Sequence, residues 1–252
     1  MNSVQKLLQL AGRVLKLAVT RPSKLSHVMG VASFACEEVG SSSTTDLCRL
    51  KYVAPEELLP QGLDLPTITL GLFPKTYASQ SVLETACLNL LMKKARARSI
   101  FEFGTYKGVS ITQLAMNLPE GSEIRTLDLP DQADIALNIS DPYELQIARE
   151  GGKGSLVPDH LRSRIQFLKQ DSAKFDPAPF AGKVDFVFVD GAHSYDYVKN
   201  DSEKGWALLR SGGIIAWHDC RVADPDVVRF LLESTFKPQK IIGTSLAFSV
   251  KP

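Results

Sequence analysis

Two groups of residues in this chain have the types and spacing that chemistry requires. The first is FEFGTYKGVS at 101–110, with an acid, Asp128, about 20 residues beyond its last glycine. A glycine at a strand end lets the backbone turn sharply and a ligand approach it, and the helix that follows offers unpaired N–H groups. Gly104 and Gly108 stand in those places, although a purely structural turn would use them equally well. Glu102 at the strand tip and Asp128 are acids that such a turn does not need, and the spacing of Asp128 suits a carboxylate holding a ribose diol. The second group is Asp190 in VFVDGAH and His218 with Asp219 in AWHDC. Two carboxylates and an imidazole can hold a divalent cation.

A dinucleotide and S-adenosylmethionine (SAM) both fit a glycine turn followed by a ribose-binding acid. A pyrophosphate calls for the full G-x-G-x-x-G, but Glu102 and Tyr106 occupy the places of extra glycines, and an anionic side chain repels two phosphates. A sulfonium and an ammonium are instead attracted to Glu102. The residues favour SAM over NAD.

The elements that must position these groups follow from the apolar pattern. VLETACLNLLMKK, Val82 to Lys94, has helical spacing, and β-like runs occur at Ser99 to Phe103, Glu123 to Leu127, Ile165 to Leu168, Val184 to Val189 and Gly213 to Trp217. Strands alternating with helical stretches predict a doubly wound, mostly parallel α/β sheet. VDFVFVD and GGIIAWHD are apolar almost without alternation, as central strands covered on both faces should be. Ligands collect outside the carboxyl ends of such strands, which brings Asp190, His218 and Asp219 together. At the end of the chain, Lys240 to Ile242 and Leu246 to Val250 are separated only by Gly243, Thr244 and Ser245. That link makes a hairpin, so the last strand runs antiparallel. Residues 1–75 read as an N-terminal helical cap and 76–252 as the cofactor-binding domain, with 130–160, including GGKG at 151–154, an insertion over the active site.

With these motifs in order, the chain resembles a class I SAM-dependent methyltransferase with a Rossmann-like, seven-stranded sheet. FEFGTYKGVS is similar to the E-x-G-T-x-x-G-x-S motif of metal-dependent small-molecule O-methyltransferases, and VDFVFVDGAHSYDYVKNDSEKGWALLRSGGIIAWHDC resembles their bacterial branch associated with antibiotic and sugar tailoring. The resemblance covers roughly residues 80–252. It implies that the methionine part of SAM lies along Glu102, Gly104, Thr105 and Gly108, the ribose on Asp128, and the adenine at Asp171 and Ser172. Asp171 reads equally as a helix cap. The resemblance also makes Asp190 a metal ligand, with His218 and Asp219 where the family has an aspartate and an asparagine; the histidine departs from that pattern and leaves Mg²⁺, another divalent cation or no ion open. His193 falls where the family has a proton-accepting lysine, and a neutral imidazole can take a proton near pH 7. The implied activity is methyl transfer to a hydroxyl of a small molecule or a glycan precursor. A metal-independent N- or O-methyltransferase and a SAM-binding protein without turnover are the alternatives.

Composition narrows the partners. The 252 residues are 44% hydrophobic and 23% charged with a net charge of +1, so no global field draws the protein to nucleic acid or anionic lipid. Cys36, Cys48, Cys87 and Cys220 form no C-x-x-C pair, which suits reduced thiols in the cytoplasm. No apolar run has the roughly 18 residues of a transmembrane helix. Residues 1–36 carry Lys6, Arg13, Lys16, Arg21 and Lys24 and no acid, with Val4, Leu7, Leu8, Ala11, Val14, Leu15 and Ala18 at helical spacing. This basic amphipathic helix suits docking on its own domain or a homodimer contact, with contact at a membrane surface or an organelle-targeting role as the alternatives.

Overall fold

The computed structural model describes residues 44–60, 65–71, 73–74, 80–130, 135–139 and 142–252. Its first elements are α1 (Thr44–Leu47), β1 (Lys51–Val53), α2 (Val82–Lys94), β2 (Ser99–Phe103), α3 (Val109–Asn117) and β3 (Glu123–Asp128). After these come α4 (Pro142–Arg149), α5 (Asp159–Arg162), β4 (Ile165–Lys169), β5 (Val184–Val189) and α6 (Tyr195–Leu208). The chain ends with β6 (Leu209–Trp217), α7 (Pro225–Glu233), β7 (Gln239–Ile241) and β8 (Ala247–Val250).

One sheet joins all the described strands in the order β1-β7-β8-β6-β5-β2-β3-β4. β2 pairs parallel with β3 and β5, and β5 pairs parallel with β6, so the two most apolar runs lie in the middle of the sheet. Alternate side chains of these strands feed two cores. Ile100, Phe186, Phe188 and Ile214 pack with Leu88, Leu91 and Met92 of α2 and Ile111 and Leu114 of α3. On the other face Phe101, Phe103, Val187, Ile215 and Trp217 pack with Val198 and Leu208 of α6 and Val227, Val228 and Leu231 of α7. Each fully buried large side chain contributes roughly 1.5–3 kcal/mol, so the strands are fixed most firmly beneath the tips that carry the polar groups. The Trp217 indole N–H, buried with them, donates to Ser202 Oγ at 2.8 Å.

β8 is antiparallel to both β6 and β7, as the short link after Ile242 requires. The sheet has eight strands where the sequence suggested seven. The additional one, β1, pairs parallel with β7 through Lys51 to Val53. The described part of 44–60 therefore contributes a strand, a short helix and a 3-10 turn at Pro55–Leu58, where only helical cap was expected. The amphipathic segment at 1–36, with its expected dimer contact, lies outside the described residues.

Candidate active site

A cavity of about 480 Å³ opens at the carboxyl ends of β2 to β6. Gly104 makes the geometry possible: its φ is +92°, and a Cβ there would stand 2.0 Å from the Asp190 carbonyl oxygen, so the tips of β2 and β5 can touch only through a glycine. Beyond it the backbone N–H groups of Thr105 and Tyr106 both donate to Asp128 Oδ2, at 3.0 and 2.6 Å. Leu129 N–H donates to Asp128 Oδ1 at 2.7 Å, and Lys153 Nζ lies 3.4 Å from the same oxygen. The carboxylate at the tip of β3 thus holds the glycine turn in shape while it lines the cavity.

Asp171, at the tip of β4, accepts from Ala173 N–H at 2.8 Å as the cap of a 3-10 turn and from Ala136 N–H at 2.8 Å. The Tyr197 hydroxyl lies 3.2 Å from each of its oxygens. Asp171 and Ser172 also line the cavity, so cap and wall coincide.

At the tips of β5 and β6 two imidazoles stand among five carboxylates. His218 Nδ1 is 2.9 Å from Asp219 Oδ2 and 3.4 Å from Asp190 Oδ1, and its Nε2 is 3.2 Å from Ser245 Oγ and 3.8 Å from Glu84 Oε1. His193 Nε2 is 2.9 Å from Asp219 Oδ2, while its Nδ1 is 2.8 Å from Glu144 Oε1 and 3.1 Å from Asp224 Oδ1. Burial works against charge on both rings, yet hydrogen bonds to Asp219, Asp224 and Glu144 push His193 up to about 12, and the charges of Asp190 and Asp219 raise His218 well above the ordinary value. Burial would raise the Asp219 carboxyl, but the positive charge of His218 and the hydrogen bond from His193 hold it well below the carboxylate range. The Asp219 backbone sits at φ +54°, a left-handed conformation that costs a non-glycine residue about 1–2 kcal/mol.

A methyltransferase-domain family profile matches residues 101–220, the span from β2 to just past these tips. The chain is 30% identical over 203 residues to a caffeoyl-CoA O-methyltransferase of Pinus taeda, covering 75% of this chain and 72% of that protein. The chain belongs to the SAM-dependent O-methyltransferases. It is also 31% identical over 137 residues to the tapetum-specific methyltransferase 1 of Arabidopsis thaliana, about half of either chain at 53% and 52%. The solved O-methyltransferase TomG from Streptomyces achromogenes, in complex with SAM, superposes with a TM-score of 0.49 at 19% identity, over 69% of this chain and 82% of that one.

In this O-methyltransferase Gly104, Thr105, Asp128, Asp171, Ser172, Asp190, His193, His218 and Asp219 line one cavity. Two residues expected beside the cofactor do not. Glu102 is fully buried, with its oxygens 2.5 Å from Ser110 Oγ and Thr126 Oγ1. Burial pushes its carboxyl up to about 8 against those two hydrogen bonds, with Asp190 and Asp128 adding to the rise, so it carries a proton at neutral pH. It braces Ser110, which does face the cavity. Gly108, at φ +85°, packs the turn against residues 154–157, where a Cβ would stand 2.4 Å from Val157 Cγ2 and 3.1 Å from Gly154 Cα.

Both ring nitrogens of His193 face carboxylates, which favour its protonated form. The sequence reading missed Gln80, Glu84, Glu144, Asp224 and Ser245, all of which line the cavity. Glu84 alone left a signal, the S-x-x-E capping box at the start of α2: Ser81 N–H donates to Glu84 Oε2 at 2.8 Å, and Glu84 Oε1 accepts from Ser245 N–H at 2.8 Å.

The donor chemistry suits a divalent cation. Ligand atoms of Asp190, His193 and Asp219 lie within 4.8 Å of one another, and His218 Nδ1, beside the same two carboxylates, is a buried nitrogen without an aligned hydrogen bond. No helix among the described residues is long and apolar enough to cross a membrane.

Proposed function

We propose that this enzyme transfers the SAM methyl group to a hydroxyl of a small polar molecule or glycan precursor, with a divalent cation that would displace the His218 ring proton and be held by Asp190, His218 and Asp219. The observation that carries this reading is one cavity walled by Asp128, Asp171 and Ser172 on one side of β2 and by Asp190, His218 and Asp219 on the other. Asp128 keeps the glycine turn fixed for the nucleoside, and the turn at Gly104 sets the methionine part against the β5 tip. When bound, the cation would lower the pKa of the acceptor hydroxyl. His193, held cationic by Glu144 and Asp224, donates hydrogen bonds into the site and ties the insertion helix α4 to the β5 tip. The proton released on methyl transfer passes to the surrounding carboxylates, which favour positive charge.

One observation favours a metal-independent alternative: the two imidazolium rings already offset the charge of Asp190 and Asp219. Chelation separates the readings. Release of S-adenosylhomocysteine (SAH) over a panel of catechol, caffeoyl and glycoside hydroxyls should fall by on the order of 100-fold in Asp190→Asn and Asp219→Asn. EDTA should abolish turnover and Mg²⁺ or Mn²⁺ restore it. Full activity in EDTA removes the cation, and full activity of both variants removes the assigned roles. The four cysteines, spaced without a C-x-x-C pair, support a cytoplasmic setting.

A further inference from the structure

A cation at the tips of β5 and β6 can take only one ring nitrogen of His218, and the other nitrogen meets two groups that no strand tip supplies. His218 Nε2 lies 3.2 Å from Ser245 Oγ, and the Ser245 hydroxyl donates to Glu84 Oε1 at 2.8 Å. The direction of that second bond follows from the other partners of the carboxylate, which are both donors: Ser245 N–H reaches Oε1 at 2.8 Å and Ser81 N–H reaches Oε2 at 2.8 Å. A hydroxyl has one hydrogen, and a carboxylate only accepts. With its hydrogen spent on Glu84, Ser245 Oγ can only accept from the imidazole, so Nε2 is a nitrogen that carries N–H.

The frame that imposes this is itself fixed. Ser245 is buried on the short link between β7 and β8, and the link is fastened to the chain just beyond Asp219. Cys220 N–H donates to Ser245 O at 2.8 Å, while the buried Lys240 Nζ donates to Cys220 O at 2.5 Å and to Thr244 O at 2.8 Å. Held at Nε2, the ring turns Nδ1 to the acids, 2.9 Å from Asp219 Oδ2 and 3.4 Å from Asp190 Oδ1, where it is buried without an aligned hydrogen bond. We infer that Glu84 and Ser245 are positioning residues for the cation: by accepting the Nε2–H bond, Ser245, oriented by Glu84, leaves Nδ1 to join Asp190 and Asp219 around one point. Imidazoles that ligate metals generally donate their other N–H to a partner that fixes the ring, and loss of that partner weakens the metal. This inference rests on the proposed cation.

The test uses the full chain and Ser245→Ala, which removes only the hydroxyl. Titration with Mn²⁺, followed by electron paramagnetic resonance of the free ion, should show affinity lowered roughly 10-fold or more in the variant, while calorimetry shows SAH bound equally by both proteins. Equal Mn²⁺ affinity overturns the inference, and so does an equal loss for Mn²⁺ and SAH, which would mean that Ser245 only shapes the cavity wall. A second reading needs no change at Ser245 and decides the matter if Ser245→Ala fails to fold. In wild type labelled with ¹⁵N-histidine and saturated with Mg²⁺, the ring whose signals are missing in His218→Gln should carry its hydrogen on Nε2 and none on Nδ1. A hydrogen on Nδ1 with Nε2 bare overturns the inference. Failure of wild type to take up either metal removes the cation, and this role of Glu84 and Ser245 with it; the wild-type titration alone reveals that result, which keeps it distinct from a wild type and a variant that bind equally well.

Discussion

A single buried carboxyl shows how environment overrides residue type. Glu102 at the tip of β2 has the sequence position of an anion, but Ser110 and Thr126 enclose it and it holds its proton to about pH 8. In the unfolded chain the same group ionises near 4.5. The folded pKa is the higher, so the native state binds the extra proton: the stabilisation is complete below 4.5 and is lost as pH rises through about 8. Glu102→Gln keeps the shape and removes the ionisation. Urea unfolding should show the wild type losing stability relative to Glu102→Gln between pH 5 and pH 9, and parallel curves for the two proteins across that range would refute a buried neutral carboxyl. The same logic explains why the charge of His193 could not be read from the chain. Its environment is made by Asp219 together with Glu144 and Asp224, and the last two arrive from α4 and from just before α7, with no local pattern linking them to it.

At the scale of elements, the strands that carry the site were legible because each is an apolar run ended by a turn. Val184–Val189 and Ser99–Phe103 have the bounds their sequence suggests, and the antiparallel β8 follows from the short link before it. β1 was not legible: Lys51–Val53 is three residues long, buries only Val53, and becomes a strand by pairing with distant Gln239–Ile241. Helix α4 buries no residue at all and is tied to the site by polar contacts such as Glu144 with His193. The contact between strand tips gives this scale its prediction. Gly104→Ala puts a Cβ 2.0 Å from the Asp190 carbonyl at φ +92°, whereas Gly121→Ala, at φ +75°, meets nothing within 4 Å. Both substitutions incur the backbone strain of about 1–2 kcal/mol, but only the first must also part β2 from β5. Urea unfolding should therefore rank Gly104→Ala well below Gly121→Ala in stability, with SAH binding lost in the first and kept in the second. Equal stability of the two would show that the tips do not depend on a glycine there.

Over the whole molecule, the cavity draws its wall from five strand tips, the start of α2, the turn at Ser245 and helix α4. No single segment makes the site, so unfolding destroys it completely, and a ligand that needs all these parts binds only the native chain. Such a ligand shifts the folding equilibrium by an amount set by its concentration over its dissociation constant, about 2.7 kcal/mol at a hundredfold excess. For a chain of this length each kcal/mol corresponds to roughly 2–4 °C, so saturating SAH should raise the melting temperature by about 5–10 °C. The rise should continue logarithmically as more SAH is added, and methylthioadenosine, which lacks the amino acid and so makes fewer contacts, should require higher concentrations for the same shift. Scanning fluorimetry over a concentration series checks both. A melting temperature that stays flat with SAH would mean that the strand tips, however suitably placed, do not form the cofactor's site.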